Sequence, residues 1–121
     1  MANDFKRFNV TNVTTSTGAS GDALYTIPAG AGSTALESII IGITLANTNT
    51  TGVTASVYLD GYDGTDTYIV KDANVPAGSS LEVMSGNKIV VQHDGSTGDV
   101  IRVSCGTSSS LDATISVLED V

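Results

Sequence analysis

The chain has 121 residues, 13 acids against five bases, a formal net charge of −8, one cysteine and no tryptophan. That length makes one domain with enough buried surface for an independent core, and so acidic a surface repels phosphates, which argues against nucleic acid as a partner. The single Cys105 excludes an intrachain disulfide and fits folding in a reducing cytoplasm.

The start, Met1-Ala-Asn-Asp-Phe-Lys-Arg-Phe8, has no apolar stretch behind its basic pair and does not read as a secretory signal. Residues 1–22 carry Phe5, Phe8, Val10 and Val13 as their only large apolar groups and then a polar Thr14–Gly21 run. They read as an extended N-terminal arm whose apolar groups anchor on a neighbouring subunit, ahead of a domain over residues 23–121. Removing 1–22 is then expected to leave a folded domain that loses oligomerisation.

The rest is written in period two, the spacing of a strand with one buried face. Strands are predicted over 24–27, 36–47, 53–62, 67–71, 80–84, 88–92, 100–105 and 113–119. Turn chemistry separates them: Pro28-Ala-Gly30, Asn47-Thr-Asn49, Asp60-Gly61, Asp63-Gly64, Pro76-Ala-Gly78, Ser85-Gly86-Asn87, Asp94-Gly95 and Gly98-Asp99. The inward set reads as Ile39, Ile41, Ile43, Leu45, Val57, Leu59, Leu81, Val83, Ile89, Val91, Ile101, Val103, Cys105, Ile115 and Val117. Aspartate at Ile41 or Val103 is expected to prevent folding. Ile40 falls outside that stripe and joins Phe5, Phe8, Val10 and Val13 as a candidate subunit contact. The fold class is an all-β, antiparallel two-layer sandwich, of jelly-roll or immunoglobulin-like topology. No stretch has the apolar length of a membrane helix.

Few residues point to chemistry. Asp60, Asp63 and Asp66, with Asp72 nearby, are weak candidates for a hard cation, but their spacing is not that of an EF-hand loop. An Asp-Gly hairpin explains them more simply, and no metal or cofactor is expected. His93 is the only histidine, and Asp94 beside it on a strand would face the other way, so no catalytic relay forms. Cys105 continues the inward phase and reads as a core residue. Tyr58, Tyr62 and Tyr68 flank one predicted hairpin and are a candidate ligand surface, able to stack on sugars or bury at a protein contact.

Several turn-and-strand patterns carry a resemblance. They are the Met1-Ala-Asn-Asp-Phe-Lys start, Tyr25-Thr-Ile-Pro-Ala-Gly30, the apolar strand 38–45 ending in Ala46-Asn47, and Ile69-Val-Lys-Asp72. Further on come Val75-Pro-Ala-Gly-Ser-Ser-Leu81-Glu82, Gly86-Asn-Lys88, Gly98-Asp99-Val-Ile101-Arg and Ile115-Ser-Val-Leu-Glu119. In these the chain resembles small virion structural proteins of tailed bacteriophages, including phages of marine bacteria. The resemblance implies a non-enzymatic particle component assembled in the host cytoplasm, and transfers no functional residues. It leaves two main expectations. One is an exterior subunit, a capsid decoration or a neck or tail accessory protein. Its partners would be itself, with a trimer favoured, and the major capsid, portal or tail proteins. The other is a carbohydrate- or receptor-binding module of a fibre or baseplate. An enzyme is not expected, because the ionisable groups assemble no site.

Overall fold

The computed structural model describes residues 3–84 and 88–120. Among them run nine strands: β1 (Asn3–Val10), β2 (Asp22–Thr26), β3 (Leu36–Asn47), β4 (Val53–Asp60), β5 (Asp66–Val75), β6 (Ser80–Glu82), β7 (Ile89–His93), β8 (Val100–Cys105) and β9 (Leu111–Asp120). They form two antiparallel sheets, one ordered β1-β9-β3 with β6 and β7 sharing the far edge of β3, the other ordered β2-β8-β4-β5. β6 lies along Thr44–Ala46 and β7 along Leu36–Ile40, so together they serve as one divided edge strand.

Counted that way, β1 pairs with the last strand, β2 with the next to last, β3 with β6 and β7, and β4 with β5. The chain is thus one long hairpin rolled into a two-sheet sandwich, which is the jelly-roll arrangement and not the immunoglobulin one. The core between the sheets is aliphatic, built from residues such as Ile40, Ile43, Leu45, Val57, Val91, Ile101, Val103, Leu111, Ile115 and Val117.

The strands at 36–47 and 100–105 lie where the period-two pattern puts them. Elsewhere the ends move by a few residues, and β5 runs on to Val75 past the expected end at 71. The expected turn at Ser85-Gly86-Asn87 lies outside the described residues. The larger departure is at the N-terminus. Asn3–Val10 is no free arm but an edge strand, paired residue for residue with β9 from Asn3↔Asp120 to Val10↔Ala113. The polar run after it is not a loose connection either. Val13 is fully buried, donates its amide to Leu111 O at 2.9 Å and accepts from Ser109 N at 3.1 Å.

The inward phase of β3 also differs from the simple alternation. Ile40 is fully buried and Ile41 is 40% exposed. The pairing with β9 slips between Ile40 and Gly42, so that Ile41 is the extra residue of a β-bulge. Before the bulge the inward residues are Leu36, Ser38 and Ile40; after it they are Ile43, Leu45 and Asn47. One inserted residue exchanges the faces of everything on one side of it. A second slip, between Ala23 and Tyr25 in β2, puts the consecutive Leu24 and Tyr25 both inside.

Tyr25 reaches from its own sheet to the other. Its hydroxyl donates to Glu119 Oε2 at 2.6 Å and lies 3.0 Å from Ser38 Oγ. Glu119 is 1% exposed, and Lys6 Nζ stands 3.0 Å from its other oxygen, an ion pair off the direction of a true hydrogen bond. A buried carboxylate needs such partners. Burial first, and then the bond to Glu119, push the Tyr25 phenol up, and the same carboxylate raises the Lys6 ammonium. Both groups are held protonated by folding. Their contribution is therefore complete below about pH 10, the ordinary tyrosine value, and is lost as pH rises through the higher folded values. Tyr25→Phe should lose roughly 1–3 kcal/mol at neutral pH by stripping a donor from Glu119. It should also flatten the fall of melting temperature above pH 10. Equal alkaline slopes for variant and wild type would show that Tyr25 does not drive that loss.

Candidate interaction face

The outward side of the five-stranded sheet carries the feature that stands apart from an ordinary surface. Four apolar residues are direct cross-strand partners: Phe5 faces Leu118, Leu118 faces Ile39, and Ile39 faces Val90. They form a row across β1, β9, β3 and β7, from one edge of the sheet to the other. Ile41, turned outward by the bulge, widens the row at its centre. Phe5 is 79% and Val90 55% exposed, while Leu118 and Ile39 are half-buried by their neighbours. Polar residues flank the row, with Glu37 and Gln92 on one side and Arg7, Ser116, Thr44 and Thr114 on the other. An apolar stripe with a polar rim is the surface signature of a protein contact.

Charge is placed unevenly on this face. Arg7 stands on β1, at one edge, opposite Ser116, which in turn faces Gly42. Glu82 is on β6, at the other edge, and its Oε1 lies 3.7 Å from where a side chain on Gly42 would begin. Arg7 ends the line through Ser116 and Gly42, while Glu82 pairs with Thr44, the next outward position along β3, and leans its carboxylate back toward Gly42. Among the described residues neither joins an ion pair within the chain.

Of the contact residues expected from the sequence, only Phe5 belongs to this row. Phe8 points to the inner side and packs on Tyr25, ring centroids 5.2 Å apart, although its edge is 37% exposed. Val10 is half-buried against the core. Val13 and Ile40 are fully buried core residues, so they cannot meet a partner. The row itself draws on Leu118 and Val90, which periodicity alone did not single out, and on Ile39, which it placed in the inward set and which the pairing of β3 turns to the outer face. A signal for them does exist: Ile39-Ile40-Ile41, Ile89-Val90-Val91 and Val117-Leu118 place apolar groups at consecutive positions. In a strand, that puts them on both faces at once.

The three tyrosines do not form one surface. Tyr58 is fully buried beneath the connection from β1 to β2, where its hydroxyl donates to Gly18 O at 2.6 Å. Gly21 passes so close to that hydroxyl that a side chain there would collide with it. Tyr68, 40% exposed, leans on Tyr58 with centroids 5.1 Å apart, and Lys71 Nζ lies 5.1 Å from its ring centre. Tyr62, 41% exposed, lines an open cleft of about 270 Å³ with Asp63, Thr65, Thr67, Val90 and Gln92.

The ionisable candidates are engaged in holding loops. Asp60 accepts from Arg102 Nε at 2.8 Å, and Arg102 also donates to Gly21 O. Asp63 accepts from Thr65 N within its own turn. Asp66 pairs across the strands with Asp60, and its carboxyl is raised by desolvation and then by that like charge. Among the described residues no three His, Cys, Asp or Glu side chains converge as metal ligands. Asp99 is 5% exposed and accepts the amides of Tyr62 and Gln92, each at 2.8 Å, tying the β4–β5 loop to β7. His93 Nδ1 accepts from Gly95 N at 2.9 Å at the end of β7. Asp94 caps the same turn, and the amides of Thr97 and Ser96 hold its carboxyl below the ordinary range. Cys105 is buried, and burial raises its thiol.

The chain matches no family model and no curated protein.

Proposed function

We propose that this protein is a non-enzymatic structural subunit on the exterior of a tailed-bacteriophage virion, acting through contacts between subunits as a decoration, neck or tail accessory protein. The observation that carries the reading is the apolar row Phe5–Leu118–Ile39–Val90, which spans a whole sheet face and has no partner within the chain. The side chains able to do chemistry support it. Asp60, Asp99, His93 and Cys105 are each engaged in a loop or the core rather than gathered around a cleft. The turn-and-strand resemblance to virion proteins points the same way, whereas the jelly roll hosts capsid proteins and lectins alike and does not choose between them. Net charge of −8 disfavours nucleic acid, and among the described residues no helix is long and apolar enough to cross a membrane.

The test is quantitative mass spectrometry and cryo-electron microscopy of particles purified from a culture that expresses the gene in its own context. The reading expects many ordered copies per particle. Recovery of the chain only in the particle-free lysate would sink it. The Tyr62 cleft favours a second reading, a saccharide-binding module, because an exposed aromatic face stands beside Gln92, Asp63 and two threonines. Binding of glycans that is abolished by Tyr62→Ala would move the assignment there.

A further inference from the structure

We infer that the apolar row is the contact between two copies of this chain, packed sheet face to sheet face about a two-fold axis running along the strands. The inference rests on the reading above that this face makes subunit contacts, and adds which partner it takes and in which orientation.

The edges of the sheets are poor places for association. The β1 edge bears Asp4, Lys6 and Arg7, the opposite edge is divided between β6 and β7, and β2 is only five residues long. At the β5 edge, pairing with β4 is irregular and Asp72 sits at φ +52°. Charges, interruptions and bulges are the devices that keep edge strands from pairing with other chains. That leaves the faces.

The size of the outer face is adequate. Four strands about 4.8 Å apart and eight residues long span roughly 19 by 27 Å. Two such faces together cover on the order of 1,000 Å², the lower bound for a specific interface. Aligned packing of two sheets is an established arrangement.

The face is also complementary to itself. A two-fold axis along the strands, between β9 and β3, carries the β1 edge of one copy over the β7 edge of the other. Phe5, the largest member of the row, then lies over Val90, and Leu118 lies over Ile39, so large meets small and branched meets branched. The same rotation brings Arg7 near Glu82, which pairs with Thr44 one outward position beyond Arg7's line and leans its carboxylate back to that line beside Gly42. Each copy supplies both halves of every pair, as an isologous contact requires. A three-fold ring would need two different patches, so this contact builds a dimer and not the trimer expected from the sequence.

Sedimentation equilibrium on the full chain tests this. Wild type should be dimeric at micromolar concentration, and Leu118→Asp should be monomeric. Arg7→Glu and Glu82→Arg should each weaken dimerisation about tenfold by setting like charges against each other, and the double variant Arg7→Glu/Glu82→Arg should restore it. Both sites are on the surface, so the exchange stays readable even if Leu118→Asp fails to fold. A wild-type monomer, a trimer, or a double variant weaker than either single one would overturn the proposal. Particles that carry the protein while the isolated chain is monomeric would refute the two-fold contact alone and leave the virion reading standing.

Discussion

Ile40→Asp should abolish folding, whereas Ile41→Asp should give a soluble protein that melts cooperatively within a few degrees of wild type. The two positions are neighbours in an unbroken run of isoleucines. Ile40 is fully enclosed between Val117 and Ile89, and a carboxylate there would have no partner and no water. That should cost more than about 4 kcal/mol, a large part of the ~5–15 kcal/mol that holds a domain together. Ile41 is the bulged residue and keeps 40% of its surface in water, so the same change there costs about 1 kcal/mol. Circular dichroism and thermal melting of the pair measure the difference. An unfolded Ile41→Asp beside a folded Ile40→Asp would restore simple alternation along β3 and remove the bulge from the argument.

The second large effect is at the N-terminus. Deleting residues 1–22 should yield an insoluble or unfolded chain, the opposite of what a detachable arm predicts. The deletion strips β9 of a neighbour along eight residues and leaves its edge open. It also removes Lys6 from the buried Glu119, Phe8 from Tyr25, Val13 from the core and the Gly18 carbonyl from Tyr58. Each loss exposes apolar surface or leaves a buried polar group without its partner. A truncated protein with a sharp, near-native melt would show that β1 and the connection after it are dispensable.

Much of this fold was legible in the sequence. Strong alternation marked β4, β8 and β9, and Pro-Ala-Gly and Asp-Gly pairs marked the turns, because both signals are local. What failed was non-local. The bulge in β3 is visible only against the partner strand, since Ile39 and Ile41 in one phase and Ile40 in the other are equally apolar. β1 was missed because its inward residues, Lys6, Phe8 and Val10, include a charge whose counter-ion lies on β9. Tyr58 looked like a surface tyrosine because its cover comes from a connection some 40 residues earlier in the chain. The candidate face was hidden for the same reason. Phe5, Ile39, Val90 and Leu118 become a row only once four strands are in register.

The rolled hairpin also sets an order in time. β4 and β5 are joined by a short loop and can pair as soon as both have been synthesised. Among the described residues β1 has its one hydrogen-bonded neighbour in β9, and β3 is completed on one side by β6 and β7 and on the other by β9. The ribosome therefore releases β3, apolar on both faces, long before the strand that will cover its second edge exists. Ending translation just before Leu111 would remove a central strand rather than a tail, and leave β1 with nothing to pair with. The outermost turn of the roll can close only after the ten-residue β9 is made, so β1, synthesised before the other eight strands, is among the last to find its place.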